Sequence, residues 1–248
     1  MICTKEKIRD AFSKSAATYD KESEVQAYIA SELTRKLQDF SPKTILEIGC
    51  GTGNLSKLLL DRYQPDSLVL NDISEKMIAI CKDRFQGTGS IDYLVCDAER
   101  LTCSKSFDLL VSNACFQWFS DLKNSLMTFM DLLNDRGILA FSTFGSQNLK
   151  ELRELTGHGI DYLSKDALLD ILNSLGYEYS LSEEILKAEY QDALALLVSL
   201  KKTGVSLRTG KIWTKSRLDA FLKEYAAKFS KNGKVYASWH IYYVTVKK

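Results

Sequence analysis

The chain has 248 residues, and its 33 Lys and Arg against 32 Asp and Glu leave so little net charge that overall balance argues neither for nucleic acid nor for an anionic membrane surface. Six cysteines, at 3, 50, 81, 96, 103 and 115, form no C-x-x-C pair and are joined by only two histidines, which argues against a metal centre and for reduced thiols. No apolar run approaches bilayer length and no apolar leader core follows Met1, so a cytoplasmic protein with one large core is expected.

Helical spacing opens the chain: Ile8, Ala11 and Phe12 share one face, and Val25, Tyr28, Ile29, Leu33 and Leu37 share another beyond a break around Ser13 to Asp20. The polar and aromatic stretch from Phe12 to Asp20 suits a flap over a ligand or a plain helix connection. Thr44 to Asn54 then reads Thr-Ile-Leu-Glu-Ile-Gly-Cys-Gly-Thr-Gly-Asn, a short strand, three alternate glycines (Gly49, Gly51, Gly53) and a helix opening with Leu55, Leu58 and Leu59. Such glycines permit positive φ and close approach of a ligand to the backbone, and the helix N-terminus beyond them offers unpaired N–H groups. The spacing is not G-x-G-x-x-G, and a carboxylate at Glu47 would repel a pyrophosphate while suiting an ammonium, so an amino-acid-bearing nucleoside is favoured over NAD.

The second strand, from Ser67, ends in Asp72, about twenty residues past the glycines, where an acidic side chain accepts from ribose hydroxyls; Asn71 is the alternative. Ser74 caps the next helix, and Ile73 and Met77 either flank an adenine or pack in the core. The third strand, 91–96, runs into Asp97-Ala98-Glu99, with Asp97 placed to accept from an adenine amino group. The fourth, 107–113, ends at Asn113 and gives way to Ala114-Cys115-Phe116-Gln117-Trp118-Phe119, too apolar for a solvated turn and therefore pocket lining or buried. A helix over 121–134 with Gly137 as its C′ glycine leads into a fifth strand, 138–144.

Strands alternating with helices predict an open parallel sheet that binds its ligand at the strands' carboxyl ends, where Glu47, Asp72, Asp97 and Asn113 all stand. Beyond Gly145 the pattern predicts a helix from Ser164 to Leu175 closed by Gly176, a strand over 177–190, helices over 191–203 and 214–229, and a last strand, 235–246, rich in aromatic and β-branched residues. The expected organisation is N-terminal helices and flap over 1–40, a core over 41–190 and 231–248, and a helical insertion over 191–230 serving as a substrate lid, with no independent second domain.

The strand-end set and the E-x-G-x-G-x-G pattern of 47–53 resemble the class I S-adenosylmethionine (SAM) methyltransferases over residues 40–145. That resemblance implies an α/β, doubly wound, mostly parallel seven-stranded, Rossmann-like sheet. It also implies SAM as cofactor, leaving as S-adenosylhomocysteine (SAH), held by Glu47, Gly49, Gly51, Gly53, Asp72, Ile73, Met77, Asp97, Ala98 and Asn113. Four further motifs are similar to the malonyl-[acyl-carrier protein] O-methyltransferases of biotin synthesis: Phe12 to Asp20, Ser112-Asn113-Ala-Cys-Phe-Gln117-Trp118, Phe141-Ser-Thr-Phe-Gly145-x-x-Asn148-Leu149-x-Glu151-Leu152, and Leu200-Lys-x-Thr203-Gly204.

The reaction implied is methylation of the free carboxylate of malonyl carried as a thioester on acyl carrier protein, at the start of pimeloyl assembly. A carboxylate is already ionised near neutral pH, so the site needs desolvation and alignment rather than a general base. By the resemblance, Phe116, Trp118 and Phe144 would wall the substrate pocket, Tyr19 and Gln117 would position the acceptor, and Arg208 would supply a cation for its carboxylate. From Lys201 to Lys234 the insertion carries ten basic side chains against two acidic ones, Asp219 and Glu224, which suits docking of an acidic carrier protein or a plain solvated face. The alternatives are a class I methyltransferase acting on a free small acid, an amine or a ring carbon, a SAM-binding protein without turnover, and, last, NAD-dependent oxidoreduction.

Overall fold

The computed structural model describes residues 4–205 and 214–248. Helix α1 (Lys5–Ser15) ends inside the expected break, where a 3₁₀ turn at Ala16–Thr18 links it to the one-turn α2 (Tyr19–Glu22) and to α3 (Glu24–Arg35). Then follow β1 (Thr44–Ile48), α4 (Asn54–Tyr63), β2 (Ser67–Asp72), α5 (Glu75–Arg84), β3 (Ile91–Val95), β4 (Phe107–Ser112), α6 (Leu122–Asp131) and β5 (Leu133–Phe144). The chain continues through α7 (Lys150–Thr156), α8 (Lys165–Leu175), β6 (Glu178–Tyr190), α9 (Ala193–Lys202), α10 (Lys215–Lys228), a two-residue β7 (Ser230–Lys231) and β8 (Lys234–Lys247).

One sheet runs in the order β3-β2-β1-β4-β5-β8-β6, with β7 pairing β8 off that path. β1 to β5 pair in parallel, whereas β8 is antiparallel to both β5 and β6. The seven-stranded, mostly parallel sheet expected from the sequence is therefore present, and β7 is an added hairpin arm. Register brings the strand ends level: Ile48 of β1 lies opposite Asn71 of β2 and Ser112 of β4. Strand order reverses on either side of β1, which opens a crevice between β1 and β4 at their carboxyl ends.

The period of two along each strand divides the core. Ile45, Leu68, Leu70, Leu109 and Val111 face α3, α4 and α5. Leu46, Ile48, Val69, Leu110 and Leu139 face α6 and α8. Both faces are buried, so the central strands read as continuous apolar runs, as parallel sheets covered on both sides do. Helices α9 and α10 stand between β6 and β8 in the chain and bury Leu196, Leu200, Phe221 and Tyr225 in the first of these cores. Among the described residues no helix is long and apolar enough to cross a membrane.

Two local expectations are corrected. Gly137 does not terminate α6: the helix ends at Asp131, Arg136 takes the positive φ (63°), and Gly137 lies inside β5, where a Cβ would come within 2.8 Å of the Asn134 carbonyl. Glycine is needed there for backbone clearance at the irregular entry to β5, between the pairs Phe107–Leu133 and Leu109–Ile138. Helix α7 was not expected, because seven residues are too few to show a helical period.

Candidate active site

The ends of β1 to β4 open into a cleft of about 630 Å³ including its open mouth, closed on its outer side by Ile8 and Phe12 of α1 and by Tyr19. Gly49, Gly51 and Gly53 all adopt positive φ (68°, 55° and 90°), so the tight exit from β1 requires them. Their surroundings differ. A Cβ on Gly49 would lie 2.4 Å from Cys115 Sγ, and one on Gly53 would lie 2.6 Å from the Phe85 ring, whereas at Gly51 the nearest atom is 3.9 Å away, on Tyr19. Gly49 and Gly53 thus let the turn pack, and Gly51 presents bare backbone to the cleft. Gly53 does not itself line it.

Asp72 closes the turn. Its Oδ2 accepts from the Gly51 N–H (3.0 Å) and its Oδ1 from the Ser74 N–H (2.7 Å). Burial pushes its carboxyl up to about 6, and those two N–H groups act in the opposite sense. Ile73 and Met77 line the same end, with the first turn of α5 fixed by Ser74 Oγ accepting from Met77 N–H (3.3 Å). Asn71 also lines the cleft, but its amide is committed to the carbonyls of Leu94 and Cys96. At the end of β3, Asp97 and Ala98 form the next wall. Asp97 Oδ1 takes the Glu99 N–H (3.2 Å) and the Lys5 ammonium (3.3 Å), and Lys5 also pairs with Glu99. Asn113, at the end of β4, donates to the Gln26 carbonyl (2.9 Å) and accepts from Ser142 Oγ (2.7 Å), locking α3, β4 and β5 together at the cleft.

The segment around Tyr19 is latched down by its neighbour: Asp20 accepts from the Thr52 hydroxyl in the glycine turn and pairs with Arg84 at the end of α5. Phe12 meets Trp118 nearly perpendicularly (centroids 5.7 Å apart) and Tyr19 at 6.4 Å, so three aromatic rings cover one side of the cleft. Burial first and Asp72 second push the Tyr19 hydroxyl well above its ordinary value, which keeps it protonated near neutral pH.

Other candidates lie elsewhere. Glu47 is 1% exposed beneath the turn and does not line the cleft; Ser56 Oγ donates to it at 2.6 Å, and burial pushes its carboxyl up to about 8. Its charge, on which the sequence-based choice of an ammonium ligand rests, is therefore largely absent in the free protein at neutral pH. The 3₁₀ turn Phe116–Trp118 sends successive side chains in different directions. Trp118 reaches the cleft, whereas Phe116, instead of walling a pocket, packs in the core against Phe119, Phe129 and Phe141. Gln117 turns back to the Ala114 carbonyl (2.6 Å) and Thr143 Oγ1 (3.4 Å). Phe144 is buried against Tyr162 and Trp239. None of these three lines the cleft. Arg208 lies outside the described residues. Lys5, Ile8, Cys96 and Cys115 line the cleft without having been candidates. Only tertiary packing carries Lys5 and Ile8 of α1 there, whereas Cys115 belongs to the apolar loop expected to line a pocket or be buried.

The cleft thus combines an apolar slot (Ile8, Ile73, Met77, Ala98), acceptors at Asp72 and Asp97, and backbone open at Gly51, a set that fits a purine nucleoside with free ribose hydroxyls. Among the described residues no group of three His, Cys, Asp or Glu side chains is placed to hold a metal ion.

Residues 45–137 match a family described as "Methyltransferase domain". The chain is 34% identical over 97% of its length to 97% of a malonyl-[acyl-carrier protein] O-methyltransferase of Bacteroides thetaiotaomicron. It is 35% identical over 97% of its length to a protein of the same name from Bacteroides fragilis, of which it spans half. Among solved structures, YcgJ of Bacillus subtilis superposes with a TM-score of 0.65 at 14% identity, covering 88% of this chain and 97% of that one. The N-methyltransferase NodS of Bradyrhizobium japonicum, in complex with SAH, superposes at 0.56 and 14% identity, covering 97% of this chain and 98% of that one. At such identities the structural likeness concerns the fold.

Proposed function

This chain belongs to the malonyl-[acyl-carrier protein] O-methyltransferase family, and from that premise we propose that it methylates the free carboxylate of malonyl carried as a thioester on an acyl carrier protein, the step that opens pimeloyl assembly for biotin. The observation that carries this reading is the near full-length identity to members of that family, joined to a cleft fitted to a nucleoside. SAM, when bound, supplies a sulfonium methyl: a carboxylate oxygen forms the new O–C bond as the C–S pair leaves to sulfur, giving a neutral ester and a neutral thioether with no proton moved.

The chain's own groups have correspondingly simple tasks. Asp72 accepts from the ribose hydroxyls, Asp97 with Ile73, Met77 and Ala98 holds the adenine, and Gly51 lets the ligand approach the backbone. Phe12, Tyr19 and Trp118 exclude water from the side where opposite charges meet and cancel, a change that an apolar wall favours over bulk water. The protonated Tyr19 hydroxyl orients an acceptor oxygen by donating to it, without acting as a base. Methyl-labelled SAM given with malonyl-carrier protein should leave label on the carrier in base-labile form, and no label on any malonyl thioester would end this reading.

On α10, Lys215, Arg217 and Lys223 are exposed, and none pairs with a carboxylate among the described residues. These basic groups suit the acidic surface of a carrier protein. Reversing Lys215 and Arg217 to Glu is expected to raise the KM for malonyl-carrier protein about tenfold at low salt with kcat nearly preserved, and the defect should shrink as added salt screens the interaction. A normal KM at low salt would move docking to another face.

A further inference from the structure

Past Phe144 lies a second, smaller cavity of about 310 Å³ including its open mouth, walled by Asn148, Arg153, His158, Tyr162 and Val205. The segment carrying its polar side is fastened to β8 repeatedly. Gly145 N–H donates to the His240 carbonyl (2.9 Å), Gln147 N–H to His240 Nδ1 (3.0 Å), and Leu149 N–H to the Ser238 carbonyl (2.7 Å), while Glu151 accepts from Ser238 N–H (2.9 Å). Leu149 is held at φ 51°, a strained conformation for leucine that persists only where its surroundings fix it.

This rigid frame leaves Arg153 Nε buried without a hydrogen-bond partner and Asn148 Nδ2 with only a loose contact to the Tyr162 hydroxyl. Asn148 is 0% exposed, and its Oδ1 already accepts from His240 N–H (3.2 Å), so turning the amide round would only set donor against donor. The Arg153 guanidinium reaches the Ser146 carbonyl through Nη2 and, among the described residues, has no carboxylate partner. Gly159 lies flat on the Arg153 stem, where a Cβ would come within 2.6 Å of Cδ, so the loop after α7 holds the side chain in place. Buried donors without acceptors and a half-buried cation without a counter-ion are both unfavourable, and an anion with oxygen acceptors relieves both. Burial pushes the Tyr162 hydroxyl up to about 12, so it stays protonated and able to donate.

Two elements connect the walls of the cavity with those of the nucleoside cleft, and no described residue lines both. Tyr162 packs on Phe144 (6.1 Å), at the end of the strand whose Ser142 bonds Asn113. After α9, Gly204 sits against Phe12, a cleft wall that a Cβ would approach to 2.9 Å, and the next residue, Val205, lines the cavity. We propose that this cavity is the subsite for the acceptor's free carboxylate, with Arg153 as its counter-ion and the Asn148 amide as a second donor. The assignment rests on the methyl-acceptor reading above and adds to it the group that recognises the acceptor. Two consequences follow from the chemistry: an acyl group without a free carboxylate has nothing to offer the site, and the neutral ester loses its attraction to Arg153 and is released.

Arg153→Gln should lower kcat/KM for malonyl-carrier protein about 100-fold, mostly through KM. Affinity for SAH by calorimetry and the thermal midpoint should be unchanged, which a merely structural role would not allow. Arg153→Lys, which keeps the charge and loses the Nε donor, should recover only part of the loss. Free malonate, titrated with SAH present, should bind the wild-type protein and not Arg153→Gln. Wild-type kinetics and wild-type malonate binding in Arg153→Gln, or no malonate binding by the wild-type protein, would overturn the assignment. If Arg153→Gln does not fold, Arg153→Lys decides: an unaltered KM and unaltered malonate affinity overturn it equally. Should the wild-type protein methylate no malonyl thioester, the acceptor reading fails by itself, and Arg153-dependent malonate binding still decides whether the cavity is a carboxylate site.

Discussion

Asp72→Ala is expected to weaken SAM binding about 10- to 150-fold, because a hydrogen bond to a charged group typically contributes about 1.5 to 3 kcal/mol. In the free protein this carboxylate bridges Gly51 N–H and Ser74 N–H, and so it holds the glycine turn against the start of α5 as well as facing the cleft. The substitution removes two backbone acceptors but also removes a carboxylate whose ionisation burial opposes, so the fold should survive while the binding surface loosens. Calorimetric titration with SAM, alongside circular dichroism of the variant, checks both halves. Undiminished affinity in a folded variant would mean that the ribose is held by another group.

The second large effect is a dependence of SAM affinity on pH. Burial raises the Glu47 carboxyl from an ordinary 4.5 to about 8 in the free protein. A raised folded-state value means that the neutral form favours folding: this contribution is complete below the ordinary value and is lost as pH rises through about 8. If the ammonium of bound SAM is the partner of Glu47, binding must ionise the carboxyl and release nearly one proton. Affinity should then rise about tenfold per pH unit between roughly pH 6 and 7.5, flattening above as the ligand's α-amino group, which titrates near 8, loses its own proton. Glu47→Gln should abolish the slope, weaken binding at pH 7.5, and raise the thermal midpoint of the free protein at pH 8 relative to wild type. A flat affinity profile in the wild-type protein would assign Glu47 to the framework alone, as the partner of Ser56.

The sheet was legible because central strands buried on both faces are continuous apolar runs, and because a residue at the end of each run falls on the crevice whatever the loops do. Asp72, Asp97 and Asn113 line the cleft for that reason. What sequence could not convey was direction within short irregular turns. Phe116 and Trp118 are both aromatic and two residues apart, yet the 3₁₀ turn sends one into the core and the other into the cleft. Phe144 follows the strand alternation into a core with Trp239 instead of a pocket wall. Lys5 reaches Asp97 and Glu99 only through the docking of α1, a contact across more than ninety positions that no periodicity encodes. Asn148 stood in the sequence only as part of a motif and Arg153 not at all, because their unsatisfied donors arise only where β8 fixes the segment that carries them.

The most direct measurement is a side-by-side comparison of initial rates with methyl-labelled SAM on malonyl-carrier protein, malonyl-CoA and acetyl-carrier protein at physiological salt. A free carboxylate presented on a carrier predicts the highest kcat/KM for the first, a lower one for the second because remote binding energy is missing, and no transfer to the third. Equal turnover of malonyl-CoA and malonyl-carrier protein would contradict the role of the carrier, and label on acetyl-carrier protein would contradict the carboxylate as the methylated group.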